Sequence, residues 1–386
     1  MKNDNQHIPA GYKPSPLGPI PEDWEVKRLG EICTHFKSGN TITSKEISEY
    51  GLYPVYGGNG LRGYADTYTH SGKYILIGRQ GALCGNINYV EGKNYISEHA
   101  IAVQTDENIQ WLKYKLMNWN LNRFSESSAQ PGLSVEKLVR YKLSVPTRSE
   151  QIKIAEILSL WDTAIAKQTA LIEQLTLRKR GLMQQLLTGK KRLKGFEGGN
   201  FHRLGNYISE CNRRNVGCNR VLSVTNTRGF ILQEEQFDKI VASNDTSNYK
   251  VVRRGEFAYN PSRVNVGSLA MLNEYDEGIL SPMYIVFKAN ENIDKAYLLQ
   301  CLQSWWFRGH IPAYTQGSVR DSLSFDGLCS MKFYIPTLQE QKAISAILEQ
   351  ADKEIDLANK KLSYMQKQKK GLMQVLLTGK KRIINH

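Results

Sequence analysis

The chain lacks any apolar run approaching the ~18 residues that a membrane-crossing helix needs. Its opening, MKNDNQHIPAGYKPSPLGPIPEDW, lacks the apolar centre of a signal peptide. Six cysteines (33, 84, 211, 218, 301, 329) form no Cys-x-x-Cys pair. That argues against a zinc ribbon or redox couple and fits free thiols in a reducing cytoplasm. The seven histidines make no close pair, so zinc ligation and nucleophile–base chemistry have no anchor. Thr188-Gly189-Lys190-Lys191 does not complete a Gly-x-x-x-x-Gly-Lys-Ser/Thr phosphate loop. Glu91-Gly92-Lys93 is half of a nuclease signature, without the preceding Pro-Asp. Acid is missing between Gln174 and Phe196 and again after Asp356. Over the whole chain 51 Lys and Arg stand against 37 Asp and Glu, a formal charge of +14. That balance favours a polyanionic partner.

What is present is one stretch written twice. Pro146 to Arg192 and Pro336 to Arg382 share Pro-Thr-x-x-Glu-Gln at the start and Gly-Leu-Met-Gln-x-Leu-Leu-Thr-Gly-Lys-Lys-Arg at the finish, 190 residues apart without a gap. Two copies with no third indicate a duplicated two-unit protein, not a solenoid. Between those ends Ile154, Leu158, Trp161, Ile165, Gln168, Ile172, Leu175, Lys179, Leu182 and Leu186 keep a 4-3 spacing, matched in the second copy from Ile344 to Leu376. This is a heptad seam. No proline or glycine interrupts the run from Arg148 to Lys179, so helix is the cheap conformation. A helix of about 40 residues is about 60 Å long. So long an apolar stripe needs a partner, and its duplicate is the natural one. Roughly 145 residues separate the two copies, and a compact insert brings its ends together. The second helix then returns alongside the first, antiparallel. The lysines at seam positions, Lys179 and Lys369, are expected to loosen the pairing locally.

The remaining segments are β-rich. Residues 1–19 hold four prolines and read as an extended arm. From Trp24 to Pro146 short apolar runs such as Tyr74-Ile75-Leu76-Ile77 alternate with Gly and Asn turns, with a helix around Ile109 to Asn120. Residues 195–335 repeat this plan loosely. Gly255-Glu256-Phe257-Ala258-Tyr259-Asn260-Pro261-Ser262 lies on Gly72 to Arg79, and Leu280 to Val286 on Ile96 to Ala102. The frame is shared and the polar loop residues differ. Tyr259-Asn260-Pro261-Ser262 resembles the start of an Asn-Pro-Pro-aromatic methyltransferase loop, but lacks the second proline and the aromatic, and reads as a loop.

Ile20-Pro21…Trp24…Leu29-Gly30, the two Pro-Thr-x-x-Glu-Gln helix starts and the paired Gly-Leu-Met-Gln-x-Leu-Leu-Thr-Gly-Lys endings together resemble the specificity (S) subunit of a type I restriction–modification system, over nearly the whole chain. The resemblance implies an α+β fold with an internal pseudo-twofold repeat. Two β-rich target recognition domains (1–147 and 195–335) stand at opposite ends of an antiparallel two-helix coiled coil (148–194 and 336–386). It implies a sequence-specific DNA-binding subunit that does no chemistry. Each domain reads one half of an asymmetric bipartite site in double-stranded DNA, and two methyltransferase (M) subunits dock on the coiled coil. Restriction (R) subunits complete the complex. This chain would bind no cofactor; S-adenosylmethionine, ATP and Mg would belong to the partners. The competing readings are a stand-alone methyltransferase or nuclease, a protein-only scaffold, and the S subunit of a type IIB-like system.

Bases are read by Arg or Lys at guanine, Asn or Gln at adenine, and Ser or Thr at either. Planar polar side chains on loops just after apolar strands are the candidates: Arg79, Gln80, Asn86 and Gln130 in the first domain, and Asn260, Ser262, Arg263, Gln316 and Arg320 in the second. The acid-free basic runs from Arg178 to Lys194 and from Lys360 to Arg382 suit either phosphate contacts or solvated helix ends.

Overall fold

A computed structural model describes residues 8–81, 83–125, 132–236, 245–315 and 322–383. The chain forms two compact units: residues 1–168 with 361–386, and residues 169–360. Both long helices, α2 (Arg148–Leu186) and α4 (Leu338–Leu376), are 39 residues long, and the boundary between the units falls within each.

In the first unit the sheet strands β1 (Cys33–Ser38), β2 (His70–Gly78), β3 (Ile87–Ile96) and β4 (Ala100–Thr105) lie in the order β1-β4-β2-β3. Tyr53–Gly57 and Gly60–Ala65 extend the sheet to six strands. Alternation along a strand sends neighbouring side chains to opposite faces. Ile75 and Ile77 therefore join Trp111 and Leu112 of helix α1 (Ile109–Trp119) in the main core, while Tyr74 and Leu76 join Val90 and Ala102 behind the sheet. The main core also takes Ile154 and Leu158 of α2 and Leu376 of α4.

The second unit repeats the frame. Strands β5 (Ile208–Glu210), β6 (Phe257–Tyr259), β7 (Leu269–Met271) and β8 (Ile285–Ala289) lie in the order β5-β8-β6-β7, the same sequence of places as in the first unit. Helix α3 (Lys295–Gln303) corresponds to α1. Here Leu222–Thr225 with Gly229–Leu232, and Lys250–Arg253 with Glu277–Leu280, form separate two-stranded sheets.

Within each unit the helical segments run antiparallel, and one set of contacts appears twice. In the first unit, as α2 runs back from Asp162 to Glu150, its neighbour runs forward from Lys369 to Arg382. In the second, Asp352 pairs with Lys179 and Glu340 with Arg192. The Glu–Arg contacts are bidentate: Arg382 Nε and Nη2 each lie 3.0 Å from Glu150, and Arg192 Nε lies 2.9 Å and Nη2 2.5 Å from Glu340. Both carboxylates are buried, 4% and 0% exposed. Trp24 Nε1 donates to Glu150 as well, at 2.8 Å. The neighbouring glutamines serve the core helices. Gln151 accepts from Asn108 N at 2.9 Å and donates to Pro146 O at 3.0 Å; Gln341 accepts from Asp294 N at 2.7 Å and donates to Pro336 O at 2.9 Å. The repeated Pro-Thr-x-x-Glu-Gln and Gly-Lys-Lys-Arg motifs are thus the two halves of one clasp.

Three expectations change. Lys179 and Lys369 do not loosen the seam, because each meets an aspartate across it, and that aspartate also accepts from the core helix: Asp162 from Tyr114 (2.5 Å) and Asp352 from Gln300 (3.1 Å). Burial pushes the Asp162 carboxyl up, yet the hydrogen bonds from Lys369 and Tyr114 outweigh it and hold it below the usual range. The basic runs are partly engaged within the chain, since Arg178, Lys179, Arg192, Lys369 and Arg382 are all ion-paired. The proline-rich arm is not extended throughout: Tyr12–Lys13 pairs with Ile20–Pro21, and Tyr12 Oη donates to Gly379 O at 2.6 Å.

Two outcomes are expected. Arg382→Ala strands a buried carboxylate, so urea unfolding should show a loss of about 3–5 kcal/mol; a loss below about 1 kcal/mol would mean that Glu150 finds other donors. Lys115, buried and donating to Leu377 O (2.6 Å) and Ser144 Oγ (3.0 Å), is pulled down to about 7 by burial from an ordinary 10.5. Between those two pH values the unfolded chain holds one more proton than the folded one, so stability rises with pH across the window. Lys115→Met should remove that rise in melting temperature, measured between about pH 7 and 10.

Candidate nucleic-acid interface

The first unit brings Arg79, Gln80 and Asn86 together on the connection between β2 and β3. Asn86 O accepts from Gly78 N at 2.8 Å, closing the loop onto the strand end. Arg79 is held by its backbone: its N–H donates to His99 O and its carbonyl accepts from Leu133 N, both at 2.9 Å. Its side chain is half-buried, while Gln80 and Asn86 are exposed. The geometry fixes the loop and leaves its amides outward, as base-edge readers require.

In the second unit Asn260, Ser262 and Arg263 follow β6 directly. Asn260 Oδ1 accepts from Ser262 N at 3.1 Å, and Asn260 O from Arg263 N at 3.0 Å. This side chain-to-backbone turn leaves the Ser262 and Arg263 side chains exposed. All three line a concavity of about 890 Å³. The Tyr-Asn-Pro-Ser sequence is therefore a turn, as expected. Gln130, Gln316 and Arg320 lie outside the described residues.

The alignment of the two tips shifts by one residue. Phe257 and Tyr259 face the helical core as Ile75 and Ile77 do, and Ala258 faces the other way. Leu323 N donates to Pro261 O as Leu133 N donates to Arg79 O. Pro261, not Ser262, takes the place of Arg79. A slip of one turns every side chain to the opposite face, so only this register suits both cores. The consequence is chemical: where the first tip presents an arginine, the second has a proline and delivers its arginine two residues later.

The other wall of the concavity was not foreseen. It comes from the hairpin Leu222–Thr225/Gly229–Leu232, whose turn carries Asn226, Thr227 and Arg228. Gly229 sits at φ +65°, and Thr225 Oγ1 accepts from Arg228 N at 3.1 Å. Arg228 Nη1 lies 3.6 Å from Glu235. The signal was available: two apolar runs flank Thr-Asn-Thr-Arg-Gly, a hairpin pattern. Among the described residues no group of three or more His, Cys, Asp or Glu could hold a metal ion. All six cysteines are free. No helix of the described residues is long and apolar enough to cross a membrane.

Comparison with known proteins gives the family and the fold. The family model described as the type I restriction modification DNA specificity domain matches residues 21–177 and 231–365. The type I restriction enzyme EcoprrI specificity subunit of Escherichia coli is 46% identical over 144 residues, 36% of this chain and 35% of that protein. This chain thus spans about a third of that relative's length in the match. The MjaVIII specificity subunit of Methanocaldococcus jannaschii is 25% identical over 95% of each chain. Among solved structures, the type I restriction–modification S subunit from M. genitalium superposes with a TM-score of 0.60 at 14% identity over 98% of each chain. A chain from a structure concerned with assembly and conformational transition of the type I system gives 0.58 at 12% identity, over 93% of this chain and 99% of that one. These two likenesses are of fold.

Arg263→Ala should weaken binding of a cognate duplex by about 1–3 kcal/mol if the guanidinium makes a bidentate base contact, measured by fluorescence anisotropy at fixed salt. An equal loss on random duplex would assign the residue to phosphate.

Proposed function

The chain belongs to the family of type I restriction–modification specificity subunits, and we propose that it reads an asymmetric, two-part DNA site, one unit to each half, without doing chemistry itself. One observation carries this reading. Both units keep the same strand order and the same Glu–Arg and Asp–Lys contacts, while their tips carry different polar residues on differently built loops. A duplicated frame with unlike tips suits a reader of two unlike half-sites. Half-sites one duplex turn apart, about 34 Å, present the same groove face to both readers. Helices of 39 residues, about 58 Å by rise alone, are longer than that separation.

Affinity in this reading comes from the excess of 51 Lys and Arg over 37 Asp and Glu, and sequence choice from the tips. Two modification subunits dock along the helix pair and supply adenine methylation with S-adenosylmethionine. Restriction subunits supply ATP- and Mg-dependent translocation and cleavage. The complex works in the cytoplasm, where the six thiols stay reduced.

Methylome sequencing of the host with and without this gene tests the reading. One split, asymmetric adenine-methylation motif should vanish on deletion. An unchanged methylome, or loss of a single unsplit motif, would sink it.

A further inference from the structure

The two units differ at one place where their shared frame predicts likeness. The second unit has a recess of about 520 Å³ between α2, α3 and the strand Lys332–Ile335. Its walls are aromatic: Trp306 stacks on His310 with centroids 4.2 Å apart and meets Phe333 at 5.2 Å. Its mouth is apolar and open, with Trp305 70% and Phe201 51% exposed. Its rim carries Arg180, Lys190 and Lys332, and the described lining holds no carboxylate. Arg180 lies over the Trp305 ring at 5.2 Å and makes no ion pair among the described residues.

In the first unit a lysine reaches the corresponding residues. Lys115 stands as far past the capping residue Asn108 as Cys301 stands past Asp294. Its Nζ donates to Leu377 O and Ser144 Oγ. The repeat offset makes Leu187 and Tyr334 the counterparts of those two residues, and both line the recess together with Cys301. Where the first unit has the long Lys115, the second has the shorter Cys301.

We propose that this recess docks an acidic polypeptide segment bearing an aromatic anchor, supplied by the modification partner, so that the two units hold their partners unequally. The proposal rests on the reading above that modification subunits dock on this chain. The recess suits an aromatic side chain, since tryptophan-rich pockets of this size form the centres of protein contacts. The three cations, none ion-paired among the described residues, ask for carboxylates beside it. A phosphate backbone would match the cations but leave the aromatic walls unused.

The full-length chain, titrated with its modification subunit and followed by native mass spectrometry, tests this. Two binding steps of unequal strength are expected. Trp305→Ala and Arg180→Glu, both at exposed positions, should each weaken one step by about tenfold or more. Lys370→Glu, at the place of Arg180 in the first unit, should leave that step within about twofold. If Trp305→Ala and Arg180→Glu leave both steps unchanged, the proposal is overturned. It is overturned as well if duplex DNA alone, with no modification subunit present, shields Trp305 from oxidative footprinting. A wild-type chain that binds no modification subunit would instead bring down the functional reading, and this proposal with it.

Discussion

A buried carboxylate at the start of each long helix needs a cation, and the residue that supplies it is the arginine that follows the end of the other. Glu150 takes Arg382, and Glu340 takes Arg192. Each carboxylate is desolvated, so its removal from water is compensated only by bidentate geometry and further donors. Those donors are present: Trp24 Nε1 and Ile383 N on Glu150, and Leu193 N on Glu340. Only an antiparallel pairing in one register brings all of them together, so the clasp selects helix direction and offset as well as closing each unit. The aspartate–lysine pairs farther along the seam repeat that selection.

The glycine of each Thr-Gly-Lys ending belongs to the same device. Gly189 and Gly379 adopt φ of +71° and +75°, and a Cβ there would meet Tyr334 in one unit and Pro21 in the other within 2.7 Å. The helix therefore stops by a left-handed turn that only glycine adopts at low cost, and the turn aims the following arginine at its glutamate. Identity between the copies is concentrated where backbone conformation and buried charge leave no freedom, and the apolar seam between drifts as long as its spacing holds.

That distribution explains what could be read from the residues. The seam was legible because a 4-3 spacing survives substitution, and the β-rich frames because glycine and asparagine punctuate them. The partner of Glu150 was not legible: nothing local marks Arg382, far along the chain, as its cation. Asp162 and Asp352 were missed for a related reason, since the seam pattern shows the lysine out of place without showing what meets it. The tips were legible as polar loops, and the structure brings Arg79, Gln80 and Asn86 to one loop and Asn260, Ser262 and Arg263 to another. Their register was not, because the loops share no identity, and only the alternation of Phe257, Ala258 and Tyr259 between two cores sets it. The hairpin bearing Arg228 carried a readable turn signal that the interrupted second-domain pattern obscured.

The clasp on Glu150 has a consequence for biosynthesis. The first unit draws its final helical segment and Arg382 from the end of the described chain, more than 200 residues after Glu150 is made. At about 5–20 residues per second, a ribosome leaves Glu150 without its arginine, and the core around Ile154 and Leu158 without Met373, Leu376 and Leu377, for about 12–46 seconds. The earlier-made half of the molecule is thus obliged to wait for the later one, and a truncated translation product would hold its polar tip on a core it cannot close.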